Sequence, residues 1–202
     1  MPNEVINCLE KFILNYGFWA VLITMTLESM GLPLPSEIIM PLSGFLVSVG
    51  QMEMWEAVSA GTLGCTAGSY FAYLLGKKWG NQFLEKMRKF VFLSPGSLER
   101  AQKWFVKYGR PIIFWARLLP VLRGVISYPA GSSRVSFWQF ILLSTFGSLI
   151  WCWALTWAGL LLGEHWRRVH GWISHPIVYA LIGILALLIL GLFWFLRKKK
   201  YG

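Results

Sequence analysis

The sequence predicts an all-α integral membrane protein. It is read as an inverted repeat with two opposed re-entrant helical hairpins, spanning helices and an interfacial amphipathic helix. Three observations predict this. The chain is 56% hydrophobic and only 14% charged, against about 25% charged in ordinary soluble domains, and its mean hydropathy is +0.55. Two apolar stretches are broken by prolines and glycines and carry ionisable residues. A short sequence also recurs: KFILNYG at 11–17 returns as KWFVKYG at 103–109, with lysine, tyrosine and glycine in register.

Apolar segments run at about 12–27, 38–50, 57–76, 111–130, 137–162 and 176–196. The N-terminus lacks the marks of a cleaved signal: Glu4 and Glu10 flank it, Lys11 is its one base, and no small-residue cleavage site follows. Residues 1–27 allow either one crossing or an interfacial helix followed by a partial span. Next comes GLPLPSEIIMPLSG, in which Gly31, Pro33, Pro35, Pro41 and Gly44 surround Ser36 and Glu37. Helix breakers at that density predict a re-entrant element over 31–50. Residues 51–56 carry two Glu and no base, as expected of an outside loop.

The segments 57–76, 137–162 and 176–196 are long enough to cross a core of about 30 Å, which takes about 20 residues. The last reads IVYALIGILALLILGLFWFL and ends in Arg197, Lys198, Lys199 and Lys200, a cytoplasmic anchor. Segment 77–110 is rich in Lys and Arg and is placed on the same side. Within it Ser94-Pro95 reads as a helix start. Leu98, Ala101, Trp104, Phe105 and Tyr108 then recur at helical spacing and predict the interfacial helix.

With 77–110 inside, 57–76 runs inward, 137–162 outward and 176–196 back again. The intervening 111–130 must then enter and leave from the cytoplasmic face. Its sequence suits a dip: Pro120, Gly124, Pro129 and Gly131 interrupt it. Broken backbone is tolerated at membrane depth where protein or a water-filled cavity surrounds it. The two halves, about 10–76 and 95–163, form a transport core over 1–165. Residues 166–202 supply an outside loop, the C-terminal transmembrane helix and a basic tail. Because the two broken elements enter from opposite faces, the repeat is inverted, which places a site at the midplane between the halves.

The net charge of +10 is assigned to cytoplasmic loops meeting anionic headgroups, so the expected partner is a membrane rather than nucleic acid. Cys8, Cys65 and Cys152 are odd in number and widely spaced, with no disulfide framework or metal spacing. His165, His170 and His175 lack ligand geometry on a helix. No cofactor, metal or catalytic residue is expected. Gly64-CTA-Gly68 and Gly159-LLL-Gly163 read first as close helix packing within the chain, with a homodimer left open.

The site candidates are Glu28, Glu37, Arg117 and Arg123. A charge at bilayer depth costs roughly 2.5–3.5 kcal/mol on insertion scales, so two acids and two bases there imply a polar site. Arginine presents a planar fork of donors suited to phosphate oxygens. Arg117 and Arg123 stand six apart and would diverge on an unbroken helix, but the break at Pro120 can bring them together. The carboxylates are then expected to pair with the guanidiniums when the site is empty. Blander readings are arginines that reach back to the cytoplasmic interface and a Glu37 that serves the dipole of a helix first turn.

The runs ESMGLPLPSEIIMPLSGFL and FWARLLPVLRGVISYPAG resemble the DedA family of bacterial inner-membrane proteins, related to eukaryotic VTT-domain lipid scramblases. The resemblance covers roughly residues 10–165. It implies a lipid-carrier translocase, or flippase, of the cytoplasmic membrane with its C-terminus inside. Several members recycle undecaprenyl phosphate for the cell envelope, others move phosphatidylethanolamine, and members are linked to the proton motive force. It implies that Glu28 and Glu37 match the family's essential acids and Arg117 and Arg123 its essential arginines; from their chemistry the acids are expected to couple protons and the arginines to bind the lipid phosphate. Many relatives carry Asp at the second acidic position, where this chain has Glu37. The competing classes are a phospholipid scramblase and a proton-coupled small-ion or drug antiporter. A lipid phosphatase is disfavoured because no nucleophile with a base is visible in the apolar segments.

Overall fold

The computed structural model describes residues 2–32, 34–87, 111–124, 126–132 and 135–163. The chain divides into two compact units, Met1–Gly163 and Glu164–Gly202, and the described residues all lie in the first. The expected interfacial helix after Ser94, the three histidines, Pro33 and the segment 176–196 lie outside the described residues. Among those described, every regular element is a helix.

Helices α1 (Pro2–Tyr16) and α2 (Phe18–Ser29) are divided at Gly17, whose φ of +48° a side chain would strain. Residues up to 27 therefore do not form one continuous helix. With 12 residues, α2 is about 18 Å long, short of a bilayer core. A break follows at 30–35, where Gly31 has φ +96°. Helix α3 (Ser36–Ser48) starts after extended Pro35 and carries Glu37 in its first turn. Helix α4 (Met54–Met87) has 34 residues, about 51 Å. It outruns the apolar segment 57–76 by passing through Lys77 and Lys78. Lysine, leucine and glutamate are good helix formers, and no proline interrupts the run.

The second half is broken more finely, into α5 (Pro111–Arg117), α6 (Pro120–Arg123) and α7 (Ser127–Ser132). Pro120 opens α6 and drives Leu119 out of helical conformation, to φ −108° and ψ 120°. Helix α8 (Phe137–Leu162) has 26 residues, about 39 Å. It is the one helix among the described residues long and apolar enough to cross a bilayer.

Close helix crossings hold these elements together. Helix α2 lies on α4 at Gly64, where a Cβ would come within 2.5 Å of the Leu22 carbonyl oxygen and 3.0 Å of Met25 Cβ. Helix α5 lies on α8 at Gly147, where a Cβ would meet Arg117 Cβ at 2.7 Å and the Phe114 carbonyl oxygen at 3.1 Å. Helix α3 crosses α8 with Gly44 against Thr156 and Leu160, and Gly159 against Pro41. Helix α7 crosses α4 with Gly131 against Tyr73 and Lys77, and Gly76 against Tyr128. These contacts correspond position by position. Moving 83 residues on carries Gly64, Tyr73, Gly76 and Lys77 to Gly147, Thr156, Gly159 and Leu160. Moving 87 carries Pro41 and Gly44 to Tyr128 and Gly131, and moving 92 carries Leu22 and Met25 to Phe114 and Arg117. Gly64, Gly68 and Gly159 are all used within the chain.

Large apolar side chains lie on the surface while several polar and charged ones are buried with the apolar core. Trp19, Trp55, Trp115, Trp138, Phe146 and Leu161 are exposed, while Arg117, Arg123, Ser43, Ser69, Ser127 and Thr156 are buried. Buried hydroxyls close onto their own helices: Thr24 donates to Ala20, Ser43 to Ile39 and Thr156 to Cys152. Around Tyr73, Ile113, Ala130 and Phe140 an apolar cluster fills in. The Tyr73 ring stacks on Phe140 at 4.8 Å, and its hydroxyl donates to the Val135 carbonyl. The chain is an all-α integral membrane protein with apolar helices.

Candidate functional site

The break between α5 and α7 folds Arg117 back across its own turn. Its Nη1 donates to the Arg123 carbonyl at 2.6 Å and its Nη2 to Ser127 Oγ at 2.6 Å. An unbroken helix would send these side chains apart, and Pro120 removes that constraint. Gly147 makes room for the stem of Arg117, which is 2% exposed. Arg117 is thus a staple for the broken segment, with most of its fork spent on its own chain.

Arg123 is 3% exposed and points the other way. Its Nη2 donates to Glu28 Oε2 at 2.7 Å and lies 3.7 Å from Cys65 Sγ. Its guanidinium carbon sits 5.4 Å from the centre of the Trp151 ring, a cation–π arrangement. Ser29 Oγ reaches the same Glu28 oxygen at 3.4 Å. The two breaks also touch through backbone. A Cβ at Gly124 would lie 3.4 Å from the Glu28 carbonyl oxygen and 3.9 Å from Gly31 Cα. Tyr128 donates its hydroxyl to the Met30 carbonyl. An acid at the end of α2, beside the first break, and a base of the second broken segment therefore meet, 95 residues apart in sequence.

Burial of both arginines removes the reading in which they reach back to the headgroups. The expected pairing of two acids with two bases is realised for Glu28 and Arg123. Arg117 has no carboxylate partner among the described residues. Glu37 is half-buried, and its carboxylate meets the Ser36 hydroxyl at 3.3 Å rather than a guanidinium. Of the residues expected to shape the breaks, Ser36 is buried at the head of α3, Pro129 is buried within α7, and Gly44 and Gly131 form the two crossings.

The site is incompletely satisfied. Among the described residues, Arg117 Nε and Arg123 Nη1 are buried donors with no acceptor, and Trp151 Nε1 is another. A buried donor left unpaired costs about 1–3 kcal/mol, and more when charged. Two spare guanidinium N–H groups beside an ion pair are what an incoming anion with several oxygens would satisfy. Sequence reading missed Ser127, Tyr128, Cys65 and Trp151. Ser127 and Tyr128 sit in the broken run without any pattern that marks them. Trp151 is one of many tryptophans in the apolar segments, and only the fold shows that its ring covers Arg123. Among the described residues no group of three or more His, Cys, Asp or Glu is placed to hold a metal ion.

Comparison with known proteins adds to this geometry. The VTT domain family matches residues 34–161. The chain is 31% identical over 208 residues to an "Alkaline phosphatase-like protein" of Lactococcus lactis subsp. cremoris, covering 100% of this chain and 94% of that protein. It is 30% identical over 200 residues to "Undecaprenyl phosphate transporter A" of Bacillus subtilis, covering 98% of this chain and 96% of that one. A protein of the same name from Staphylococcus aureus is 30% identical over 160 residues, covering 77% and 79%. No solved structure matches.

Proposed function

The chain belongs to the DedA/VTT family of bacterial membrane proteins, and on that premise we propose that it is a lipid translocase carrying undecaprenyl phosphate across the cytoplasmic membrane. One observation carries the reading: the Glu28–Arg123 ion pair, buried where the two breaks meet, beside two guanidinium donors that lack acceptors. A phosphate headgroup brings enough oxygens to take Arg123 Nη2 from the carboxylate and to occupy Nη1 as well. The prenyl tail stays in lipid while the headgroup passes between the broken segments.

Displacement leaves Glu28 buried without its cation, which is costly for a charged carboxylate. Protonation of the released carboxylate removes that cost and ties headgroup entry to proton uptake. Glu37, half-buried at the start of α3, is the second proton carrier in this scheme. Arg117 acts mainly by holding the Arg123 turn, with Nε contributing to the headgroup.

The matched crossings at offsets of 83, 87 and 92 support an internal two-fold repeat with two re-entrant hairpins. Glu53 and Glu56 at the start of α4, and Lys77 and Lys78 toward its end, support an orientation with that end in the cytoplasm. Several apolar segments and the basic run Arg197, Lys198, Lys199 and Lys200 support multiple crossings and a cytoplasmic C-terminus. A homodimer needs a surface other than these glycines. The name of the Lactococcus relative raises phosphate-ester hydrolysis. The chain has no Asp, and the described site offers no histidine beside Cys65 or a serine, so the family's transporter chemistry fits better.

The test is reconstitution into proteoliposomes with labelled undecaprenyl phosphate, labelled phosphatidylethanolamine or a small cation on one side. Movement of the prenyl phosphate, lost in an E28Q/E37Q double variant, supports the proposal. Equal rates for that double variant and the parent overturn the acid role, and flux of the cation alone overturns the substrate.

A further inference from the structure

The proposed mechanism leaves a buried pair of thiols unused. Cys65 on α4 and Cys152 on α8 are 2% and 0% exposed. They are free cysteines. The helices are close at this level: a Cβ at Gly61, one turn before Cys65, would stand 3.0 Å from Cys152 Sγ. Arg123 Nη2 also lies 3.7 Å from the Cys65 sulfur. The pair therefore joins the two long helices beside the ion pair.

The geometry points to an oxidative modification site: Cys65 and Cys152 close into a reversible disulfide that fixes α4 to α8. Cys65, the sulfur with the cationic donor beside it, attacks a peroxide. One peroxide oxygen is transferred to give a sulfenic acid, and the other leaves as water. The Cys152 thiol then displaces the hydroxyl from Cys65, forming the S–S bond and a second water. Two thiols have lost two hydrogens and two electrons to the peroxide, so the step balances. The consequence follows from the packing. Glu28 is on α2, which rests on α4 through Gly64, and Arg123 is held by Arg117 of α5, which rests on α8 through Gly147. A covalent link between α4 and α8 ties the two supports together, and the carboxylate and guanidinium can no longer separate.

The experiment uses the full chain with C8S, which removes the exposed third thiol. Purified protein is treated with hydrogen peroxide, and unreduced peptides are mapped by mass spectrometry. The expected result is an intact mass lower by two hydrogens, a peptide pair linked through Cys65 and Cys152, and reversal by dithiothreitol. Thiols unchanged at a peroxide dose that oxidises the denatured chain, or Cys65 driven to sulfinic acid without a link, overturn the disulfide. The transport arm rests on the function proposed above: movement of prenyl phosphate is lost on oxidation and returns on reduction. Undiminished transport by fully linked protein overturns the lock. Mass mapping decides the disulfide whether or not the chain moves lipid, so the two failures are distinguishable.

Discussion

Replacing Glu28 with glutamine keeps the shape of the side chain and removes its charge. In the parent, Arg123 Nη2 donates to Glu28 Oε2 at 2.7 Å, with the two side chains 3% and 9% exposed. Hydrogen bonds to charged groups contribute about 1.5–3 kcal/mol. If the carboxylate competes with a lipid phosphate for Arg123, that contribution opposes ligand binding in the parent. Removing it should tighten binding by about 10- to 150-fold, at 1.4 kcal/mol per factor of ten. Turnover should fall at the same time, because the variant can neither reclaim Arg123 nor carry the proton. The assay is calorimetric titration of a short-chain prenyl phosphate into detergent-solubilised parent and E28Q, beside transport in vesicles. Tighter binding with lost transport is the expected pattern. Unchanged or weaker binding by a folded E28Q would refute the competition, since Glu28 would then be helping to hold the ligand.

Further outcomes follow from the same contacts. R117K removes the fork that bridges the Arg123 carbonyl and Ser127, so both melting temperature and ligand affinity should drop. S127A leaves Arg117 Nη2 unpaired and should lower stability by about 1–3 kcal/mol, measured by thermal unfolding in detergent. G44A and G131A each drive a Cβ into backbone of the facing long helix. Each should destabilise by about 1–3 kcal/mol or more, and similar losses in the two would match the repeat. E37Q breaks no ion pair among the described residues, so it should leave the melting temperature nearly unchanged while lowering proton-linked transport.

The broad outline was legible because lipid imposes simple demands. Apolar length, the prolines around Glu37 and Arg123, and the lysine, tyrosine and glycine shared by 11–17 and 103–109 all reflect local constraints. An offset of 92 also relates Leu22 and Met25, which meet Gly64, to Phe114 and Arg117, which meet Gly147. Other features depend on tertiary partners that a single sequence does not display. The partition of Arg117 and Arg123 into a staple and an ion-pair member depends on where the Pro120 break aims each stem. The separation of Glu37 from both guanidiniums depends on α3 leaving to pack on α8. Helix α4 runs on past the apolar segment 57–76 because hydropathy marks where lipid stops, and helix propensity carries the backbone beyond that point.

The most direct measurement is native mass spectrometry of the purified chain with added undecaprenyl phosphate, comparing the parent with an E28Q/R123Q double variant. Replacing both partners by neutral groups of similar shape avoids stranding a buried charge, so the variant should fold. The anion-exchange account predicts a bound prenyl phosphate on the parent and none on the folded double variant. Equal occupancy on both would contradict it, because the headgroup would then be held without the buried guanidinium.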